Sequence, residues 1–212
     1  MTATPAYYNG RIYFGSWDGY FYCHGTSLNI NDENYYTEKW KYPTDPPLPG
    51  RILSSPTIAG DKVYFGGGNN LEEDSGGASV TDGDTNIYCL NLSDGTEVWK
   101  YATGGAIVSK VAVVGDKLYV GSLDGKVYCL DANAGTEIWT FATDDEVYSS
   151  PFVSNGKVYI GSNDNYLYCL DAGTGEEIWS FKTRGEVISS PKIDSGKIYF
   201  GSLDGEIYCV EE

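Results

Sequence analysis

Hydrophobic and polar residues alternate along most of the chain in short runs, and the same run returns at a fixed interval. Residues 118–125 (LYVGSLDG) return as residues 158–165 (VYIGSNDN) and again as residues 198–205 (IYFGSLDG), a step of 40 residues. Earlier copies begin at Ile12 and Val63. Alternation with a period of two is typical of a β-strand with one buried face. A fixed period of this length indicates a repeat architecture.

Each copy carries four short strand signals, which we call strands A to D. In the fourth copy they are predicted at residues 149–153, 157–161, 166–171 and 177–181. Asp-Gly or Asp-Asn between strands B and C is a strong hairpin signal, because the tight turn requires positive φ. A four-stranded unit of about 40 residues with a recurring tryptophan predicts an all-β fold, a β-propeller of about five four-stranded blades.

The repeat divides a single predicted domain, residues 1–212, into five blades. Their ranges are 1–42, 51–101, 106–141, 146–181 and 186–212. Strands A, B and C recur five times but the tryptophan-bearing strand D only four times, so the last blade is predicted to lack its outer strand. Three arrangements fit this count: a compact five-bladed ring, part of a larger ring, and an open arc that another copy completes.

A tryptophan motif carries a family resemblance. Residues 130–139 (LDANAGTEIW), with related segments at 90–99 and 170–179, resemble the tryptophan-docking motif of the pyrroloquinoline-quinone-like (PQQ-like) propeller repeat family. That family includes quinoprotein dehydrogenases and the propeller lipoprotein of the bacterial outer-membrane assembly machinery. The resemblance covers essentially the whole chain and implies that the motif's tryptophan packs between neighbouring blades as a structural residue. The tryptophans concerned are Trp40, Trp99, Trp139 and Trp179.

The five cysteines occupy one position of the repeat. They are Cys23, Cys89, Cys129, Cys169 and Cys209, all in strand C. Equivalent positions in adjacent blades should lie farther apart than the ~7 Å that a disulfide spans, so we expect free, buried thiols. Free thiols favour a reducing compartment and no signal peptide is visible, whereas the family resemblance implies export. The localisation therefore stays open.

Charge and hydropathy exclude two classes of partner. The net charge is −16, from 30 acidic and 14 basic residues, and such a surface repels nucleic acid. The sequence contains no run of 18 apolar residues, so no membrane span is predicted. A basic partner remains compatible with this charge.

The sequence predicts no catalytic residues. The single histidine, His24, has no spacing that suggests a triad or a metal site, and the glycines belong to repeat turns rather than to a phosphate-binding loop. Quinoprotein dehydrogenases, by resemblance, use adjacent cysteines and a calcium-held quinone, and this chain has no Cys-Cys pair. We therefore predict neither enzymatic activity nor a PQQ or calcium cofactor.

Three connections are longer than the repeat requires. Compared with later blades, 7 residues are added within 24–39, 4 within 43–50, and 15 between Tyr64 and Tyr88. Since B–C and D–A connections share one side of an antiparallel blade, the last two insertions lie together over blades one and two. We therefore predict that this side binds a partner, and that deleting residues 71–82 abolishes binding.

Two sets of polar residues are candidate ligand contacts. Asp82, Asp84 and Asn86 alternate in the long insertion and would offer oxygens to calcium, but the rest of an EF-hand loop is missing, so no metal site is predicted. Lys110 replaces a serine where strand A should line a central channel, and Arg51 precedes the same strand in blade two. Arg51 and Lys110 are the predicted anchors for an anionic ligand on the channel axis.

These features favour a non-enzymatic binding or scaffold protein that mediates protein–protein interaction or assembly. Two alternatives stay open at the level of sequence. One is a quinone-binding, oxidoreductase-like propeller. The other is a structural subunit that self-associates through the strand edges of blades one and five, because unpaired edges invite pairing with another chain.

Overall fold

The computed structural model describes residues 3–26, 37–68 and 83–212. Asp82, the segment proposed for deletion, and most of the 7-residue insertion lie outside the described residues. The chain divides into two compact units, Met1–Lys110 and Val111–Glu212. The described residues contain strands and no helix, so none of them forms a helix that could cross a membrane.

The first unit contains two four-stranded antiparallel sheets. Sheet 1 has the order β1-β2-β3-β4 and sheet 2 the order β5-β6-β7-β8. The strands of sheet 1 are β1 (Ala6–Tyr8), β2 (Arg11–Gly15), β3 (Phe21–Gly25) and β4 (Glu38–Tyr42). Those of sheet 2 are β5 (Thr57–Ala59), β6 (Lys62–Gly66), β7 (Asn86–Asn91) and β8 (Glu97–Ala102).

The second unit contains three more sheets of the same design. Sheet 3 consists of β9 (Ala112–Val114), β10 (Lys117–Ser122), β11 (Lys126–Asp131) and β12 (Glu137–Ala142). Sheet 4 consists of β13 (Phe152–Ser154), β14 (Lys157–Gly161), β15 (Tyr166–Asp171) and β16 (Glu177–Lys182). Sheet 5 has only β17 (Lys192–Asp194), β18 (Lys197–Gly201) and β19 (Ile207–Glu211). The predicted four-stranded units and the missing last strand D are confirmed.

Tight turns join the strands where the sequence places glycine or asparagine. In sheet 4, Asn155 and Gly156 form the A–B turn with φ of 49° and 72°, and Asn165 closes the B–C turn with φ of 75°. Asparagine and glycine adopt positive φ at low cost, which sets the hairpin register. Strand A is shorter than predicted: in sheet 4 it begins at Phe152, and residues 146–151 form a lead segment before it.

The two faces of each sheet carry different residues. In sheet 4 one face of strands B and C carries Tyr159, Leu167 and Cys169, and we call it the trailing face because it packs against sheet 5. The opposite, leading face packs against sheet 3 and carries Val158, Ile160, Tyr168 and Leu170. The trailing face of sheet 1 packs on the leading face of sheet 2 in the same way. The cores of both units therefore lie between successive sheets.

The cysteines lie on the trailing faces. All five are free, and the first four are buried, as predicted. Burial raises the pKa of the Cys169 thiol to about 11 and that of Cys89 to about 12. Cys209 in the last sheet differs, since its side chain is exposed.

Candidate protein-binding site

The B–C turn of sheet 1 is fixed by one aspartate. Asp18 accepts a hydrogen bond from the backbone N–H of Tyr20 at 3.1 Å and another from the hydroxyl of Tyr22 at 2.9 Å. Burial would raise the pKa of Asp18, but these bonds and one involving Ser16 outweigh it, and the pKa lies below its usual value. These bonds join the turn that carries Trp17 to strand C of sheet 1.

Trp17 projects into solvent from this turn. Its side chain is 61% exposed, whereas Leu123 at the equivalent position of sheet 3 is 2% exposed. The guanidinium carbon of Arg51 lies 4.6 Å from the centre of the Trp17 ring. A cation at this distance from an indole face is attracted by the ring quadrupole. The pair offers a flat aromatic group with a positive charge beside it.

A second aromatic–cation pair lies in the same sheet. The ammonium of Lys41 lies 4.0 Å from the centre of the Tyr20 ring, and the Tyr20 hydroxyl donates to Asp45 at 3.4 Å. We call Trp17, Tyr20, Lys41 and Arg51 together the Trp17 surface. It lies on the side formed by B–C and D–A connections, which the insertion lengths nominate as the binding side.

The D–A connection after sheet 1, which contains the 4-residue insertion, is hydrogen-bonded to the turn that carries Trp17. The backbone N–H of Leu48 donates to the carbonyl of Gly19 at 2.9 Å, and that of Ile52 donates to the carbonyl of Ser16 at 3.1 Å. Both bonds join the D–A connection to the turn that carries Trp17. The surface is consequently held by two connections, and its backbone is preorganised for binding.

The two predicted channel anchors have different surroundings. Arg51 is half-buried and stacks on Trp17, so its positive charge belongs to the Trp17 surface. Lys110 is exposed at the end of the lead segment of sheet 3. In that lead segment the carbonyl of Ser109 accepts a hydrogen bond from the Ser54 hydroxyl at 3.0 Å. An axial anion site formed by Arg51 and Lys110 stays a prediction.

Of the three calcium candidates, Asp84 and Asn86 lie within the described residues. Asp84 occupies the position of Asp18 in the repeat, and its carboxylate accepts from the backbone N–H of Asn86 at 2.9 Å and from the Tyr88 hydroxyl at 2.6 Å. Asp84 is 4% exposed. Within the described ranges no three His, Cys, Asp or Glu residues form a group that could hold a metal ion.

Two of the four docking tryptophans, Trp40 and Trp139, contact the C–D turn of the following sheet. Trp139 donates from Nε1 to the carbonyl of Ala172 at 3.2 Å, and its ring lies under Gly175. Trp40 lies under Gly95 in the same way, although its Nε1 has no hydrogen-bond partner. Trp99 is buried and Trp179 is half-buried.

A cleft of about 430 Å³ lies between sheets 1 and 2 in the first unit. It is lined by Tyr8, Arg11, Asp61 and Ser93 among others, and Arg11 donates from Nη1 to the carbonyl of Ser93 at 3.1 Å. The sequence reasoning named neither this cleft nor Trp17. A signal for Trp17 was present, because it is the only tryptophan of the five that stands outside a strand D motif.

Comparisons with known proteins identify the repeat. The family model described as "Outer membrane protein assembly factor BamB" matches residues 83–211. No curated protein matches the sequence. BamB from Moraxella catarrhalis has a similar structure, with a TM-score of 0.74 and 18% identity, over 99% of this chain and 57% of that chain.

Two further structures show the same fold. The computationally designed Ika8 protein matches with a TM-score of 0.76 and 13% identity, over 98% of this chain and 57% of that chain. A quinohemoprotein alcohol dehydrogenase from Pseudomonas putida HK5 matches with a TM-score of 0.62 and 21% identity, over 82% of this chain and 34% of that chain. The chain thus spans less than two thirds of the length of each.

These likenesses and the five antiparallel sheets show a β-propeller fold, as the repeat predicts. The family model extends over more than half of the chain, including the motifs that end in Trp99, Trp139 and Trp179. The chain therefore belongs to the PQQ-like propeller repeat family whose model is described as outer membrane protein assembly factor BamB.

Proposed function

We propose that this chain is a non-enzymatic β-propeller that binds a protein partner, and that the Trp17 surface is where the partner binds. The observation that carries the proposal is the 61% exposed indole of Trp17 with the Arg51 guanidinium stacked on it. Tryptophan, tyrosine and arginine dominate the binding energy of protein interfaces, and the Trp17 surface contains all three.

The family supports an interaction role. Its model is described as an assembly factor, and a BamB structure matches 99% of the chain. Lys41 and Arg51 place two positive charges on the Trp17 surface of a chain whose net charge is −16. A partner that offers carboxylates beside an apolar pocket would match this arrangement, and the other acidic surfaces of the chain would repel it elsewhere.

The residues present do not fit the quinoprotein arrangement implied by the family resemblance. The cysteines lie in different blades, so no adjacent pair is available, and four of them are buried. His24 lies between the aromatic rings of Phe14 and Tyr22, with its ring centroid 5.4 Å from that of Phe14. We therefore propose that the chain uses no quinone cofactor. Titration with PQQ and Ca²⁺ should change neither the absorbance nor the melting temperature, and a saturable change would support the oxidoreductase-like alternative.

Affinity capture with three forms of the chain tests the binding proposal. Proteins that wild type enriches from the source cells should be retained by Tyr7→Ala and lost with Trp17→Ala. Tyr7 is the matched control because it is an aromatic residue of the same sheet and is 68% exposed. The retained protein is then purified, and calorimetry should show at least about tenfold weaker binding to Trp17→Ala. Equal binding to wild type and Trp17→Ala would rule out the Trp17 surface.

A further inference from the structure

The trailing face of sheet 5 is open, although the same face is covered in the other sheets. Ile207 is 84% exposed and Tyr199 is 39% exposed, whereas Leu167 and Tyr159 at the equivalent positions of sheet 4 are fully buried. The side chains on this face are nevertheless apolar or aromatic, like those that pack between sheets 4 and 5. Exposed apolar groups of this size on a regular strand mark an interaction site.

Glycine spacing shows the same difference. A Cβ added to Gly161 of sheet 4 would lie 2.3 Å from the carbonyl oxygen of Val187, which belongs to the lead segment of the next sheet. A Cβ added to Gly201 of sheet 5 would meet nothing nearer than the Ser189 side chain at 3.8 Å. Sheet 5 therefore carries the glycine that admits a following lead segment, with free space above it.

The lead-segment serines supply an independent observation. The Ser149 hydroxyl donates to the carbonyl of Ser189 in the following lead segment at 2.9 Å, and Ser54 donates to Ser109 likewise. Ser189 instead donates to the carbonyl of Gly201 in its own sheet at 2.8 Å. In sheets 2 and 4 this serine hydroxyl therefore bonds to the next lead segment, whereas in sheet 5 it bonds within its own sheet.

The leading face of sheet 1 is the second open face. Ile12, Phe14, Tyr22 and His24 are each half-buried, whereas Val158, Ile160, Tyr168 and Leu170 on the leading face of sheet 4 are buried. The rings of Phe14 and Tyr22 are stacked with centroids 5.5 Å apart. This face therefore exposes apolar and aromatic side chains at the positions that a trailing face covers in sheet 4.

We propose that the trailing face of sheet 5 binds the leading face of sheet 1 of a second copy of this chain, head to tail. The argument is continuity: inside each unit a trailing face packs only on a leading face, and the two open faces are one of each kind. Each copy therefore presents both halves of the contact, one on sheet 1 and one on sheet 5. Such a heterologous contact forms a ring if the rotation closes and an open series of copies if it does not.

Light scattering over a concentration series tests the proposal. The mean mass of wild type should rise with concentration, and Ile207→Asp should weaken association at least about tenfold, because the contact would bury an unpaired carboxylate. Ile178→Asp is the matched control: Ile178 is 47% exposed on strand D of sheet 4 and belongs to neither open face, and its variant should associate as wild type does. Circular dichroism should show that both variants stay folded.

A mixing experiment tests the head-to-tail direction. Ile207→Asp blocks the trailing face and His24→Glu blocks the leading face, so each variant should be monomeric alone. An equimolar mixture should form a one-to-one dimer and nothing larger, since each variant retains one intact face. A wild type that is monomeric at every concentration, association that survives Ile207→Asp, or a mixture that stays monomeric would each overturn the proposal.

The two proposals can fail separately. Head-to-tail association does not use the Trp17 surface, so Trp17→Ala should self-associate like wild type while losing the captured partner. Conversely, Ile207→Asp should retain the captured partner. Loss of both activities in one folded variant would contradict this separation.

Discussion

Tyr168 donates its hydroxyl hydrogen to Oδ2 of Asp164 at 2.7 Å, while Oδ1 of the same carboxylate accepts the backbone N–H of Tyr166 at 3.0 Å. Burial and the hydrogen bond to Asp164 both raise the pKa of the Tyr168 phenol, so the hydroxyl keeps its proton. The aspartate thereby joins the B–C turn to strand C. Equivalent pairs are Asp18–Tyr22, Asp84–Tyr88, Asp124–Tyr128 and Asp204–Tyr208.

Removing the Tyr168 hydroxyl should destabilise the chain. We expect Tyr168→Phe to lower the free energy of unfolding by about 1.5–3 kcal/mol, the range for a hydrogen bond to a charged group. Urea denaturation followed by fluorescence measures the change. The control is Tyr166→Phe, whose half-buried ring lies near Lys182 at 5.3 Å and should keep that contact. Equal losses in the two variants would show that the bond to Asp164 contributes nothing specific.

The repeated strand pattern predicts where the strands lie, but it does not predict how deeply equivalent side chains are buried in different sheets. The alternation and the Asp-Gly turns predicted all five sheets, because hairpins are encoded locally. The exposure of Tyr199 and the burial of Tyr159 could not be predicted from their flanking residues, which are closely similar (GKVYIGS and GKIYFGS), because the difference comes from the neighbouring sheet. Trp17 was missed for a related reason: the residue at this turn position is 61% exposed in sheet 1 (Trp17) and in sheet 5 (Leu203) but 2% exposed in sheet 3 (Leu123), so the repeat alone does not determine its exposure.

The contact between Gly161 and Val187 should tolerate no side chain. We expect Gly161→Ala to lower the free energy of unfolding by about 1–3 kcal/mol, because the added methyl group meets a backbone carbonyl. Gly201→Ala is the matched control at the equivalent position and should change the free energy by less than about 0.5 kcal/mol. Both are measured by urea denaturation at a chain concentration low enough to avoid association. A harmless Gly161→Ala would mean that the lead segment can move aside.

Trp139 and Trp179 should differ in their contribution to stability. Trp139 is 7% exposed, packs under Gly175 and donates a hydrogen bond, so Trp139→Ala should lower the free energy of unfolding by about 3–5 kcal/mol. Trp179 is only half-buried, and Trp179→Ala should be less destabilising. Guanidinium denaturation measures both. A larger loss at Trp179 would contradict the view that docking under the C–D turn is what stabilises these residues.

Acid should remove stability that the turn aspartates supply. Hydrogen bonds from the backbone of Thr174 and Gly173 lower the pKa of Asp171, and the bond from Tyr208 lowers that of Asp204. A carboxyl whose pKa is lower in the folded state stabilises that state above its unfolded pKa, about 4, and the stabilisation is lost as the pH falls through the folded value. Asp171→Asn should therefore be less stable than wild type at pH 7, and the denaturation curves should converge as the pH falls through the lowered pKa of Asp171. A difference that is constant with pH would exclude this linkage.

The thiols should separate into one reactive and four protected groups. Cys209 is exposed, whereas Cys23, Cys89, Cys129 and Cys169 are buried. Burial also raises the pKa of Cys129 to about 12, which suppresses the reactive thiolate. In dilute native protein we expect a disulfide reagent such as DTNB to modify one thiol per chain rapidly, and all five after denaturation. Cys209→Ser should abolish the rapid phase, and a rapid phase that persists in this variant would place a second accessible thiol within the sheets.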